Sequence, residues 1–302
     1  MVNHTKNVRI LVYPEEIYGA GCSGGTLATP QPVTQALINA ANIPFQPMNY
    51  PKSDSNIPLK EYEREFIDGI GLAEGQMLEI NKGYNFRDAT FPCYNQSGTV
   101  DWLDVILESD TTGNSYGMHI EYDGKVISAY GCVPKKYEFK MNNNDTHDEN
   151  IDMFYYDAAE TGAVVSGVGQ LNTGSVYWWK DGYVTISGVQ VSGFKEMSLT
   201  IEKTYDEDLG KSGNPLIPYE KTKNVEVSVT YRGNTPDYKW DLLNETIGTE
   251  SIIVTRNADM GNFNGTHMVV SSSDNSNTIP GEKGHFDTVI TLKASKTSTF
   301  TT

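Results

Sequence analysis

Apolar and polar positions alternate along much of this chain, and two such runs stand in the same phase 136 residues apart. Residues 88–94 read Asp-Ala-Thr-Phe-Pro-Cys-Tyr and residues 224–230 read Asn-Val-Glu-Val-Ser-Val-Thr. Ala89, Phe91 and Cys93 therefore fall on Val225, Val227 and Val229, the buried face of two half-buried strands. A short amphipathic helix follows each run. Thr99 and Thr235 stand as N-caps, Asp101 and Asp237 in a first turn where a carboxylate suits the helix dipole, and Trp102, Ile106 and Leu107 align with Tyr238, Leu242 and Leu243. Beyond the helices, residues 116–124 align with 250–258 and residues 149–158 with 285–294. Chance reuse of strand, turn and helix is the competing account. Order, spacing and alternation phase agreeing together favour a duplication.

The pattern predicts strands over residues 7–13, 75–81, 84–94, 116–122, 125–131, 136–141 and 151–156, with helices near 100–109 and 236–243. Asp123-Gly124 is the strongest hairpin signal. Residues 161–175 are small and polar, which suggests a linker between a first module at 1–160 and a second at 161–302. The second module reads as strands at 175–182, 183–191, 195–203, 225–233, 251–257, 267–273 and 286–294. Val184, Ile186, Met197, Leu199 and Ile201 alternate as half-buried antiparallel strands require. Three stretches read as arms or long loops: residues 14–60, the polar loop at 210–222 and the Ser/Thr-rich C-terminal residues 293–302, the last expected to order only against a neighbour. The expected fold is mostly β: two tandem antiparallel sandwich- or barrel-like modules, each with one short α-helix.

Composition narrows the function classes. With 28 Gly, 13 Pro, 18 Tyr and 10 Phe the chain is built for strands and turns rather than helices. A balance of 23 basic to 39 acidic residues, net −16, opposes attraction to phosphate backbones or anionic membranes. No apolar run reaches the ~20 residues of a membrane helix, and the start MVNHTKNVRILVYPEE lacks a signal peptide's apolar core. Cys22, Cys93 and Cys132 form no CxxC pair, so reduced thiols in a protein made in cytoplasm are expected.

The chemical signals are weak. Gly-Cys-Ser-Gly-Gly at 21–25 echoes a serine-nucleophile context but lacks its acid, and reads as a flexible loop. Asp145, Asp148 and Glu149 crowd His147 without the glycine hinge of a calcium loop, so a solvated turn is expected. Tyr177, Trp178 and Trp179 suit either sugar stacking or a packed strand, and the many carboxylates leave a glycosidase pair open. No catalytic residue, metal or cofactor is assigned, and an enzyme is disfavoured.

Several segments together resemble tail tube proteins of long-tailed phages, related prophages and archaeal viruses. They are YPEEIYGAGCSGGTLATPQPV at the N-terminal side, GCVPKKYEFKM at 131–141 leading into ENIDMFYYDA, and VQVSGFKEMSLTIEKTYDE followed by a polar loop and EKTKNVEVSVTYRG. The resemblance covers nearly the whole chain. It implies a structural virion protein that polymerises into stacked rings, with three two-module chains making six modules per ring. The other implied partners are neighbouring tail proteins and genome DNA in transit during ejection, without specific binding and with no membrane. An acidic lumen would keep phosphates from sticking. Polar positions on the strands before each helix, Asp88 and Thr90 in one copy and Asn224, Glu226 and Ser228 in the other, are the lumen candidates, with Asp152 and Asp287 on the matched final strands. A carbohydrate- or receptor-binding β-protein of a virion is the alternative.

Overall fold

A computed structural model describes residues 9–22, 24–26, 29–40, 46–47, 87–94, 100–107, 115–122, 125–160, 164–165, 176–206, 219–232, 248–257, 261–277 and 286–302. The expected strand at 75–81 and the helix carrying Tyr238, Leu242 and Leu243 lie outside these residues. The chain is mostly β, and its fifteen described strands join one sheet.

In the first half, β1 (Arg9–Pro14) pairs with the two-residue β2 (Gln46–Pro47) and with β4 (Tyr116–Tyr122), while β3 (Arg87–Tyr94) pairs with β6 (Asp148–Tyr155). A long strand, β5 (Lys125–Asn142), pairs with β4, β6 and β7 (Asp157–Glu160). Among the described residues two short helices accompany them: α1 (Gln35–Asn39), capped by the Thr34 hydroxyl, and α2 (Trp102–Leu107). The second half contains β8 (Tyr183–Ile186), β9 (Val189–Gln190), β10 (Phe194–Asp206), β11 (Tyr219–Arg232), β12 (Thr249–Thr255), β13 (Phe263–Asn277), β14 (Phe286–Lys293) and β15 (Thr299–Thr301).

The pairing order of the first half recurs in the second. β4–β5, β5–β6, β3–β6 and β5–β7 correspond to β12–β13, β13–β14, β11–β14 and β13–β15. The irregularities recur as well. Tyr116 faces Cys132 and Met118 faces Ala129, which leaves one extra residue on β5; Glu250 faces Met268 and Ile252 faces Gly265, which leaves one extra on β13. The residue inside each bulge is left-handed, Gly131 at φ 63° and His267 at φ 52°. Such a bulge bends a strand, so each long strand pairs with one set of neighbours before it and another after it.

The halves share one core. The β5–β10 pairing runs over seven register pairs, from Asn142 opposite Glu196 to Lys136 opposite Glu202. Its inward rows set Tyr137 against Ile201, Phe139 against Leu199 and Met141 against Met197, all buried in the main apolar cluster. Trp102, Leu103 and Ile106 of α2 enter the same cluster, with Leu107 packed against it. Burying each such side chain contributes about 1.5–3 kcal/mol.

Several expectations are corrected. The strands expected at 125–131 and 136–141 are one strand, continuous through its bulges. In place of the strand expected at 175–182, the described residues 176–182 form an isolated bridge at Trp178 and a 3-10 turn at Trp179–Asp181, with Asp181 tied back to the Trp178 amide at 2.7 Å. Tyr219 to Thr222, expected in the polar loop, already belong to β11 and extend a hairpin with β10. The C-terminal residues dock on their own chain, where β15 pairs with β13 and Phe300 stacks on Phe263 at 5.9 Å. In the linker expected at 161–175, Val165 is buried and its carbonyl accepts from Arg9.

The final-strand match is also corrected. With Phe91 placed on Val227, Ile151 (opposite Phe91) must fall on Leu292 (opposite Val227), five residues away from the sequence match. That match put a core-facing row on the opposite face: it set Ile151 on Asp287 and Asp152 on Thr288, whereas in register Asp152 corresponds to Lys293.

The two bulges make opposite mutational predictions. Gly131→Ala sets a Cβ 2.8 Å from the Tyr156 Cβ in a left-handed backbone, and is expected to cost about 2 kcal/mol or more. His267→Gly relieves the same backbone strain at an exposed site and should leave stability unchanged or raise it by up to about 1 kcal/mol in chemical denaturation.

Candidate functional site

Alternation sends one set of side chains from β6, β5, β10, β11 and β14 into the core and the other set onto a single opposite face. Of the sequence-derived lumen candidates, Asp152, Asn224, Glu226, Ser228 and Asp287 fall there. Thr90, Asp152, Lys136, Glu202 and Asn224 occupy one registered row across β3, β6, β5, β10 and β11. The next row runs Asn150, Glu138, Thr200, Glu226 and Lys293, and the next contains Asp148, Lys140, Ser198, Ser228 and Thr291. Asp88 holds the register position opposite Phe154, and Asp287 the one opposite Arg232. Positions chosen from two distant parts of the chain thus share one sheet face, even though one of the alignments used to choose them slipped.

The face is polar but not uniformly acidic. Lys136 lies 2.8 Å from Glu138, Lys293 lies 3.1 Å from Glu226, and Lys195 pairs with Asp287. The Glu138 carboxyl is held below the usual carboxylate range: burial works against this, but Lys136, Lys140 and Asn150 outweigh it. Of these pairs Lys293–Glu226 is the exposed one, and such a pair contributes about 0–1 kcal/mol. The main effect of the pairs is to offset part of the negative field.

Behind the face lies a buried ionic clamp that the sequence reading missed. Arg256 follows β12 and is fully buried, where it donates from Nη1 and Nη2 to the two carboxylate oxygens of Asp101 at 2.8 and 2.6 Å. Asp101 also accepts from the Leu103 amide at 3.0 Å, so one carboxylate orders the start of α2 and receives the guanidinium of the other half. Arg256 Nε donates to the Gly261 carbonyl at 2.9 Å, and Glu149, which accepts from the Tyr137 hydroxyl at 2.8 Å, lies 3.8 Å from Nη1. Burial disfavours the charged guanidinium, and Tyr137, Asp101 and Glu149 more than offset it, so the Arg256 pKa stands above its usual value. The only sequence signal was an arginine ending an apolar strand, in Ile-Ile-Val-Thr-Arg.

A second buried carboxylate fixes the N-terminal loop. Glu15 accepts from the amides of Gly19, Gly21 and Gly131 at 3.0, 2.9 and 3.0 Å, and from the Ser115 hydroxyl at 2.5 Å. Gly19 and Gly21, beside Cys22, are therefore held in an anchored loop bound to the β5 bulge. Burial pushes the Glu15 carboxyl above its usual range despite these donors. A third cluster joins Arg9, Glu121 and His119, with His119 Nε2 2.9 Å from Glu121 Oε1 and Arg9 Nε donating to Oε2 at 2.7 Å.

His147, expected on a solvated turn, is buried with its ring edge-on to Phe139 at 5.5 Å. Of the aromatic trio, Tyr177 is buried and Trp178 is 50% exposed. Among the described residues no group of three or more His, Cys, Asp or Glu side chains is placed to hold a metal ion, and no helix is long and apolar enough to cross a membrane. The chain matches no family model and no curated protein.

Removing one partner of the clamp leaves a buried charge uncompensated. Arg256→Ala is expected to cost about 3–5 kcal/mol in urea denaturation, and Asp101→Ala a comparable amount. Acid sensitivity follows from the histidines. Burial lowers the His147 pKa from 6.5 to about 4 and lowers that of His119 as well. Stability from these neutral rings is fully present above pH ~6.5 and is lost as pH falls toward the folded-state value, by up to about 3 kcal/mol for His147. The melting temperature should drop between pH 6.5 and 4.5, and His147→Leu should flatten that slope.

Proposed function

We propose that this chain is a structural virion protein that polymerises into stacked rings, forming the tail tube through which viral DNA passes. The observation that carries the reading is the twofold recurrence of one strand-pairing order within a single sheet, down to the left-handed residue at Gly131 and at His267. A chain that already repeats a unit side by side has the step needed to continue round a ring. In this reading three chains supply six units per ring.

The registered polar rows of β6, β5, β10 and β11 line the bore, with Asp88, Thr90, Asp152, Asn224, Glu226, Ser228 and Asp287 among its positions. A net charge of −16 supports passage of DNA without adhesion, since the chain as a whole repels phosphate. Lysines paired with carboxylates on that face temper the repulsion. The chain's partners are then copies of itself, other tail proteins and DNA in transit, and its location is the virion tail. No catalytic role is assigned.

Negative-stain electron microscopy of the concentrated full-length chain tests this reading. Rings or tubes with six densities per turn and a mass of three chains per ring are expected. Monodisperse monomers across concentration and ionic strength, with no ring forming, contradict it. The exposed Trp178 and the 44%-exposed Tyr183 favour the alternative of a glycan-binding virion protein, for which a glycan array supplies the corresponding test.

A further inference from the structure

The junction between the halves has a counterpart that the chain leaves open. In the first half β5 is flanked before its bulge by β4 on one side and β7 on the other. After the bulge it is flanked by β6, continuous with β7, and on the β4 side by β10 of the second half. In the second half β13 is flanked before its bulge by β12 and β15, and after it by β14 on the β15 side. The β12 pairing stops with Thr249 opposite Val269. Among the described residues no strand pairs with residues 270–277 on that side, the position that β10 fills on β5.

A matching edge stands at the other end. β11 is flanked by β14 and β10, whereas its counterpart β3 pairs with β6 alone among the described strands. These two edges, unpaired among the described strands, are complementary, because inside the chain the corresponding edges of β5 and β11 are joined through β10. Lone sheet edges of this length invite pairing, and two complementary edges on one molecule give head-to-tail association.

We propose that residues 270–277 of β13 form the docking edge for a second copy of this chain, which approaches with the β3 side of its first half, as the β10–β11 side of the second half meets β5 within the chain. This rests on the ring reading above and names the edge that closes it. The junction within the chain and the junction between chains are then quasi-equivalent, and the ring alternates the two.

Segment-resolved hydrogen exchange on the full chain, as monomer and as assembled ring, tests the edge. In an antiparallel strand successive amides point alternately to the two neighbours, so half of those in residues 270–277 face β14 and half face the open side. The outward amides should exchange at least about tenfold more slowly on assembly, while those bonded to β14 change little. Unchanged exchange of the outward amides in a ring overturns the proposal and leaves the ring reading standing. A chain that never assembles overturns both.

Proline scanning supplies an independent readout. Of Ser273→Pro and Asp274→Pro, one removes an amide directed at β14 and the other an amide directed at the open side. The second should keep the monomer's melting temperature and abolish ring formation. If both variants assemble as the parent does, the edge is not the docking site.

Discussion

The pairing of β5 with β10 is the interaction on which the rest of the structure depends. It converts two sets of strands into one sheet, and it does so through seven register pairs whose inner rows are fully buried. Because register in a sheet has period two, this pairing also decides which side chains face the core in both halves at once. The polar face opposite the core is a consequence. Without the junction, the rows that run from Asp152 through Lys136 and Glu202 to Asn224 would not exist.

Two further features hold that junction in place. The Arg256–Asp101 pair crosses from the second half to the helix of the first, and its bidentate geometry fixes orientation as well as distance. The bulges at Gly131 and His267 bend the long strands so that each can serve two sets of neighbours. Glycine meets the left-handed requirement without strain in the first half, where Tyr18 and Tyr156 crowd the site. Histidine tolerates it in the second, at an exposed position where the backbone carbonyl accepts from Ser295 and Ser298. The same backbone device is thus met by different residues, and a comparison of residue types alone would not pair them.

Much of the architecture was legible as alternation. β4 begins and ends where its pattern does, and its match to residues 250–258 agrees with the register about the two bulges. The final strands show the limit of the same signal. Residues 149–158 and 285–294 both alternate, and a period-two pattern carries no absolute phase across an intervening loop, so a slip of five residues looked as good as the true register. The clamp was not legible, because a bidentate pair between Asp101 and Arg256 is a property of the folded core and leaves no local periodicity. The C-terminal residues read as a free arm because they are polar, yet Phe300 supplies the contact that docks them. The polar face was found in part, since its residues could be chosen strand by strand while their convergence depended on the β5–β10 pairing.

The central claim is that the two halves are welded by that pairing into one cooperative sheet. Native-state hydrogen exchange across a denaturant series measures it most directly, by comparing the opening free energies of amides in β4 with those in β12. The account predicts that both strands converge on one global unfolding event of the same free energy and the same denaturant dependence. Two separate events, with one half exchanging fully while the other remains protected, would contradict it.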